Sequence, residues 1–257
     1  MHFYYYRDMN IATHSTFSLY ERLLRLGEDW LVSGVELDEL NDILHITICY
    51  KHTYWADKET GEVFPIFDFR TERVWRHLDC MEFQTHVHCR LPRIKTSEGK
   101  VQTIEYDWAE TGFSYTKKFE NKCIAVLQST HNRKSASILM GVSDDKMCGV
   151  MHAAVQRGLD RRDLSNVRKI SLDEKSYGKG HKYITVLTNS DTGTILDVEK
   201  ERTQAAAERL LKRTLNPEIL KGISNTCCDM WDPFINALKK TVRKLNLYTI
   251  NFMLSNI

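Results

Sequence analysis

The sequence predicts an α+β multidomain protein: a small β-rich N-terminal module, a helical middle and an α/β C-terminal part. Three observations lead there. The hydrophobic period changes along the chain, from two-residue alternation to helical spacing and then to strands alternating with helices. The 257 residues suffice for two or three small domains. The charge is also unevenly divided. The formal net charge is +2, yet residues 1–116 carry 12 basic and 19 acidic groups, residues 117–169 carry 11 and 5, and residues 170–257 carry 13 and 10. A composition of 42% apolar and 27% charged residues excludes collagen-like, low-complexity and disordered chains. No run reaches the ~18 apolar residues of a membrane span, so no membrane partner is expected. The start, Met1 to Tyr6, lacks the basic region and apolar core of a signal peptide. Seven cysteines, an odd count, are read as reduced thiols, which predicts a cytoplasmic setting.

Residues 1–116 form the first predicted module. Phe17, Leu19, Leu23, Leu24 and Leu26 recur at helical spacing, with Gly27 as the stop. Trp30 to Leu37 and Ile43 to Ile48 read as paired strands, and Phe83, Thr85, Val87, Cys89 and Leu91 alternate as one half-buried strand. Lys58 to Gly61 and Lys95 to Lys100 are turn material.

Residues 117–165 are predicted to be a helix-turn-helix. Phe119, Cys123, Val126 and Leu127 mark one amphipathic helix. Arg133 to Met140 forms a second, with Ala136 and Leu139 expected to face inward. Gly141, Val142 and Ser143 then lead into a third helix at Asp144. Ser143 is a good N-cap, and Asp144 and Asp145 suit the positive end of a helix dipole. In such a motif the third helix enters the major groove of double-stranded DNA. Lys146 is the candidate for base edges, and Arg133, Lys134, Arg157, Arg161 and Arg162 are the candidates for phosphates. The alternative is a solvated helical hairpin with no nucleic-acid partner.

Residues 166–257 alternate strand and helix. Ile170-Ser171-Leu172 is an apolar strand ending in Asp173-Glu174. Tyr183 to Leu187 and Thr194 to Val198 flank the turn Ser190-Asp191-Thr192-Gly193. Thr203 to Leu211 is helical, Asn216-Pro217 breaks it, and Ile223 to Cys228 is a strand running into Asp229. Pro233 opens another helix carrying Phe234, Leu238 and Val242, and Leu247 to Leu254 reads as a last strand. This order is that of a partial ribonuclease-H-like domain, in which the first and fourth strands are parallel neighbours. Asp173 and Asp229 would then converge at one sheet edge, where two carboxylates suit Mg²⁺ or Mn²⁺. Metals held there serve phosphoryl transfer. The competing reading makes both acids caps or ion-pair partners, with Glu174 and Asp232 as lesser candidates for the same role.

Three stretches together resemble the ISL-three family of bacterial insertion-sequence transposases. They are Trp30-Leu31-Val32-Ser33-Gly34-Val35-Glu36-Leu37-Asp38; Val74-Trp75-Arg76-His77-Leu78-Asp79 with Thr85 to Ile94; and Ile170 to Glu174 with Lys179 to Val186 and Cys227-Cys228-Asp229-Met230. The likeness runs from about residue 20 to 244, in the family's order. It implies a zinc-finger-like module, a helix-turn-helix and an aspartate-aspartate-glutamate catalytic domain, with Asp173 and Asp229 on the first two catalytic acids. It also implies terminal inverted repeats as the DNA partner, and a homodimer or a full-length transposase as a protein partner.

Two departures qualify these implications. The family's Cys-x-x-Cys and Cys-x-x-His pairs are replaced by Ala56 to Gly61 and by Lys95 to Gly99. No zinc is therefore expected, and Cys80, Cys89 and Cys123 are expected to be core residues. A zinc site rebuilt from Cys49, His52, His86, His88 and Cys89 is the alternative. The family's third acid is a downstream glutamate, whereas the stretch after Asp229 ends in the apolar tail Leu247 to Ile257. On that basis the sequence predicts a C-terminally truncated transposase that binds DNA without cutting it. The alternative is a non-enzymatic, DNA-binding or dimerising remnant that regulates the full-length enzyme.

Overall fold

In the computed structural model, residues 11–180, 182–242 and 246–250 are described. Met1 to Tyr6, His181 and the tail from Asn251 lie outside them. The chain divides into two compact units, residues 1–158 and 159–257.

The first unit opens with α1 (Ile11–Leu24), which packs on β1 (Trp30–Asp38). Then follow β2 (Ile43–Tyr50), β3 (Tyr54–Ala56), β4 (Val63–Phe69), β5 (Arg73–Arg76), β6 (Gln84–Cys89), β7 (Pro92–Lys95) and β8 (Val101–Thr103). They make two four-stranded sheets, in the orders β1-β2-β6-β5 and β3-β4-β7-β8. Only the β2–β6 pair is parallel. The expected alternation on β6 is present, with Thr85, Val87 and Cys89 buried. These side chains join a core around Trp30, Trp75 and Trp108, whose rings meet edge to face at 5.6 and 4.9 Å. Burying three large aromatic rings is the main stabilising term of so small a module.

Three helices follow: α2 (Lys117–Thr130), α3 (Arg133–Leu139) and α4 (Asp144–Arg161), the last crossing the boundary after residue 158. Thr116 caps α2 by accepting from Phe119 N–H, Asn132 caps α3 by accepting from Ser135 N–H, and Ser143 Oγ accepts from Lys146 N–H at the start of α4. Gly141 takes the positive φ of 60° that the α3–α4 turn requires. The sequence places Leu139 inward, but the structure leaves it 68% exposed. A helix of seven residues has room for one short buried stripe, and Ala136, Ser137 and Met140 fill it.

The second unit holds β9 (Lys169–Gly178), β10 (Lys182–Asn189), β11 (Ile195–Lys200), α5 (Gln204–Thr214), α6 (Pro217–Gly222), β12 (Asn225–Asp229), α7 (Asp232–Thr241) and β13 (Asn246–Ile250). One sheet forms, in the order β11-β10-β9-β12-β13. The first three strands are antiparallel, and β12 runs parallel to both β9 and β13. Ala207, Leu210 and Leu211 of α5 and Phe234, Ala237 and Leu238 of α7 bury one face of it with Ile170, Leu172, Leu187 and Cys228. Asn216-Pro217 ends one helix, as expected, and also starts the next. Pro217 occupies the first turn of α6, and Asn216 Oδ1 accepts from Glu218 and Ile219 N–H. Strand β9 does not end at Asp173. It continues to Gly178 because β10 pairs with it from Ile170 to Gly178, so the hairpin ladder holds residues 174–178 extended although most of them are polar and exposed.

Candidate functional site

Parallel pairing of β9 with β12 fixes the positions of the two aspartates. The register matches Asn225 with Lys169, Thr226 with Ile170, Cys227 with Ser171 and Cys228 with Leu172. Asp229 and Asp173 are the next position on each strand, so they lie side by side, about 4.8 Å apart in the strand-to-strand direction. Leu172 and Cys228 are 1% and 2% exposed on the helix-covered face. Alternation therefore puts both aspartates on the opposite face, and both are exposed. Each anchors one oxygen locally. Asp173 Oδ1 accepts from Glu174 N–H at 2.8 Å, and Asp229 Oδ1 accepts from Met230 N–H at 2.6 Å.

A brace stands beside the pair. Glu174 Oε1 accepts from Arg202 at 2.9 Å. The Arg202 guanidinium lies over Tyr183 at 4.1 Å and over Trp231 at 5.1 Å, and the Trp231 indole N–H donates to the Arg202 carbonyl. Arg202 thereby links the residue after Asp173 to the residue two past Asp229. Sequence reasoning missed it, since nothing local marks an arginine 28 positions away as the partner of Glu174. Glu174 is thus taken up in an ion pair, and Asp232 opens α7. The neighbouring thiols are poor competitors for a metal, because burial pushes Cys227 up and Cys228 up to about 11. Among the described residues no group of three or more His, Cys, Asp or Glu gathers as a metal cage. The aspartate pair is an oxygen-only, two-carboxylate arrangement, which fits a hard cation such as Mg²⁺ or Mn²⁺.

The six basic candidates stand in different surroundings. Arg133 is bound to Asp144 through two hydrogen bonds of 2.9 and 2.6 Å. Arg157 reaches across from α4 to the buried Glu120 of α2 at 2.7 Å. Lys146 is half-buried, on a side of α4 where its charge reaches His86 and Cys123. Arg162 donates to the Leu196 carbonyl. Lys134 and Arg161 are exposed. The exposed positions of α4 include Asp145, His152 and Gln156, which the charge argument passed over because none is basic. Cys89 and Cys123 are core residues, 1% and 0% exposed, and Cys80 packs against the same core as Cys89.

Two adjacent carboxylates on parallel strands of a mixed five-stranded sheet are the feature against which the comparisons with known proteins are set. The family model described as transposase, of the ISL-three aspartate-aspartate-glutamate group, matches residues 170–248, a segment containing both aspartates. The transposase for insertion sequence element IS1557 of Mycobacterium tuberculosis, from strains CDC 1551 / Oshkosh and ATCC 25618 / H37Rv, is 24% identical over 150 residues. That alignment covers 58% of this chain and 31% of the relative, so the chain spans about a third of the length of the curated relatives it matches. Among solved structures, a chain of the simian T-cell lymphotropic virus intasome in complex with PP2A regulatory subunit B56 gamma aligns over 49% of this chain and 51% of its own, at 15% identity and a TM-score of 0.27. That likeness is too low to support an argument about fold. The family match over residues 170–248 and the curated match over 150 residues bear out the resemblance to the ISL-three insertion-sequence transposases.

Proposed function

We propose that the chain is a DNA transposition protein of an insertion sequence, built to bind terminal inverted repeats in the cytoplasm. On this reading residues 1–116 are a zinc-finger-like module without its usual ligands, 117–165 the DNA-binding helix-turn-helix, and 166–257 a ribonuclease-H-like domain. The observation that carries the reading is the β9–β12 register, which sets Asp173 beside Asp229 inside the segment matching the transposase family.

Asp173 and Asp229 are the residues that would hold Mg²⁺ or Mn²⁺. A divalent ion bound there supplies charge neutralisation for phosphate oxygens and a water of lowered pKa. The chain's own contribution is positional: paired strands fix the spacing, backbone N–H groups orient one oxygen of each acid, and Arg202 ties the two acid-bearing segments together. Asp173 and Asp229 supply two carboxylates, and metal and DNA binding is the role proposed for the residues in hand. The second reading is a non-enzymatic DNA-binding or dimerising regulator of full-length transposase.

Titration with inverted-repeat duplex, at several salt concentrations, tests the proposal. Binding should weaken as salt rises, with log K falling by about 0.9 per phosphate contact per decade, and Lys134→Glu combined with Arg161→Glu should weaken it further. Absence of duplex binding at low salt would overturn the first reading and the DNA-binding form of the second. Metal-dependent cleavage by this chain that is lost in Asp173→Ala would overturn the expectation of binding alone.

A further inference from the structure

The outer face of sheet β1-β2-β6-β5 carries a histidine cluster remote in sequence from the aspartates. Registers Glu36↔His45 on β1–β2 and His45↔His86 on β2–β6 place these three residues in one row, with Thr47↔His88 in the row two residues on. His45 Nδ1 and His88 Nε2 face each other at 2.8 Å, and the His86 ring stands edge-on to His45 at 5.9 Å. Glu72 Oε1 lies 3.1 Å from His88 Nδ1. A carboxylate there accepts from His88 Nδ1–H, so His88 Nε2 accepts the hydrogen bond from His45 Nδ1–H, and a cation entering between the two rings requires that proton to move to His45 Nε2. An open cavity of about 650 Å³ lies over this pair, lined by the carboxylates of Glu36, Asp38, Glu39 and Glu72. Asp38 is already occupied, accepting from Leu40 N–H and Asn41, which leaves Glu36 as the carboxylate in register with His45.

We propose that His45 and His88 form a two-imidazole site for a divalent transition cation of the zinc or copper class, with Glu72 orienting His88 from behind. Imidazole donors select such ions over magnesium or calcium. Two nitrogens at zinc bond lengths of 2.0–2.1 Å in a tetrahedron stand about 3.3 Å apart. The pair needs to open by about half an ångström to admit the ion, a motion within side-chain reach. Glu72 to His88 is the carboxylate–histidine contact that fixes tautomer and ring direction at metal sites. Water and Glu36 complete the shell, since no third donor already stands at ligand distance among the described residues. The site is separate from the Cys-x-x-Cys and Cys-x-x-His positions that this chain lacks, and it stands independently of the reading of Asp173 and Asp229.

Calorimetric titration of the full chain with Zn²⁺ tests the site, with circular dichroism as the check on folding. The expected result is a zinc site whose affinity is weakened at least tenfold by His45→Gln or His88→Gln. Glu72→Gln should cost about 10–100-fold. Co²⁺ substitution gives a second readout: its visible absorption should disappear in His88→Gln. Equal zinc affinity in the wild type and both histidine variants, or no binding by the wild type, would overturn the proposal.

Discussion

Single residues in this chain do different work from what their charge suggests. Arg157 looks like a phosphate contact in the sequence, yet its guanidinium neutralises Glu120, which is 2% exposed. Removing one partner of a buried ion pair leaves the other charge uncompensated, at a cost of about 3 kcal/mol or more. Arg157→Ala should lower the denaturant midpoint of unfolding accordingly, and Glu120→Gln combined with Arg157→Met should recover much of that loss. A midpoint unmoved by Arg157→Ala would show that the pair contributes nothing to stability. His77 is the other residue whose role is structural. Burial, then the nearby charges of Lys118 and Arg76, pushes it down to about 4. Its ring Nδ1 is hydrogen-bonded to the Thr116 hydroxyl at 2.8 Å, while Thr116 Oγ1 caps α2. The folded pKa lies below the unfolded value of about 6.5, so on acidification the unfolded chain takes up the proton first. Stability from this group is complete above pH ~6.5 and declines towards pH ~4, by about 3 kcal/mol in all. Urea titrations between pH 7 and 4 should show that slope, and His77→Gln should flatten it.

At the scale of elements, the turn between α3 and α4 depends on Gly141 and its positive φ of 60°. An added Cβ would meet Gln84 Nε2 at an ordinary 3.5 Å, so Gly141→Ala should cost only the backbone term, about 1 kcal/mol, read as a small drop in thermal midpoint. The strands and helices with their own periodicity were legible in advance: β1, β2, β6, β10, α2, α5 and the Ser143 cap all follow from local pattern. What pattern could not reveal came from pairing. The polar half of β9 is extended only because β10 runs beside it, and Leu139 is exposed because Ala136 and Met140 fill the narrow inner face of α3. The aspartates were legible as residues that follow apolar runs. Arg202 was not, since its partners Glu174, Tyr183 and Trp231 converge only after the sheet forms.

For the molecule as a whole, the uneven charge of the sequence is partly met within each unit: Arg133 and Arg157 pair with Asp144 and Glu120, and Arg162 donates to the Leu196 carbonyl. The central proposal rests instead on the carboxylate pair of the second unit. Its position follows from topology: a strand order β11-β10-β9-β12-β13 makes the first and fourth strands of that unit neighbours, and the register does the rest. Mn²⁺ binding, followed by the enhancement of water proton relaxation, tests this claim most directly. A Mn²⁺ site abolished by Asp173→Asn and equally by Asp229→Asn, with His88→Gln leaving it intact, is the predicted result. Mn²⁺ bound with unchanged affinity in both aspartate variants would contradict it.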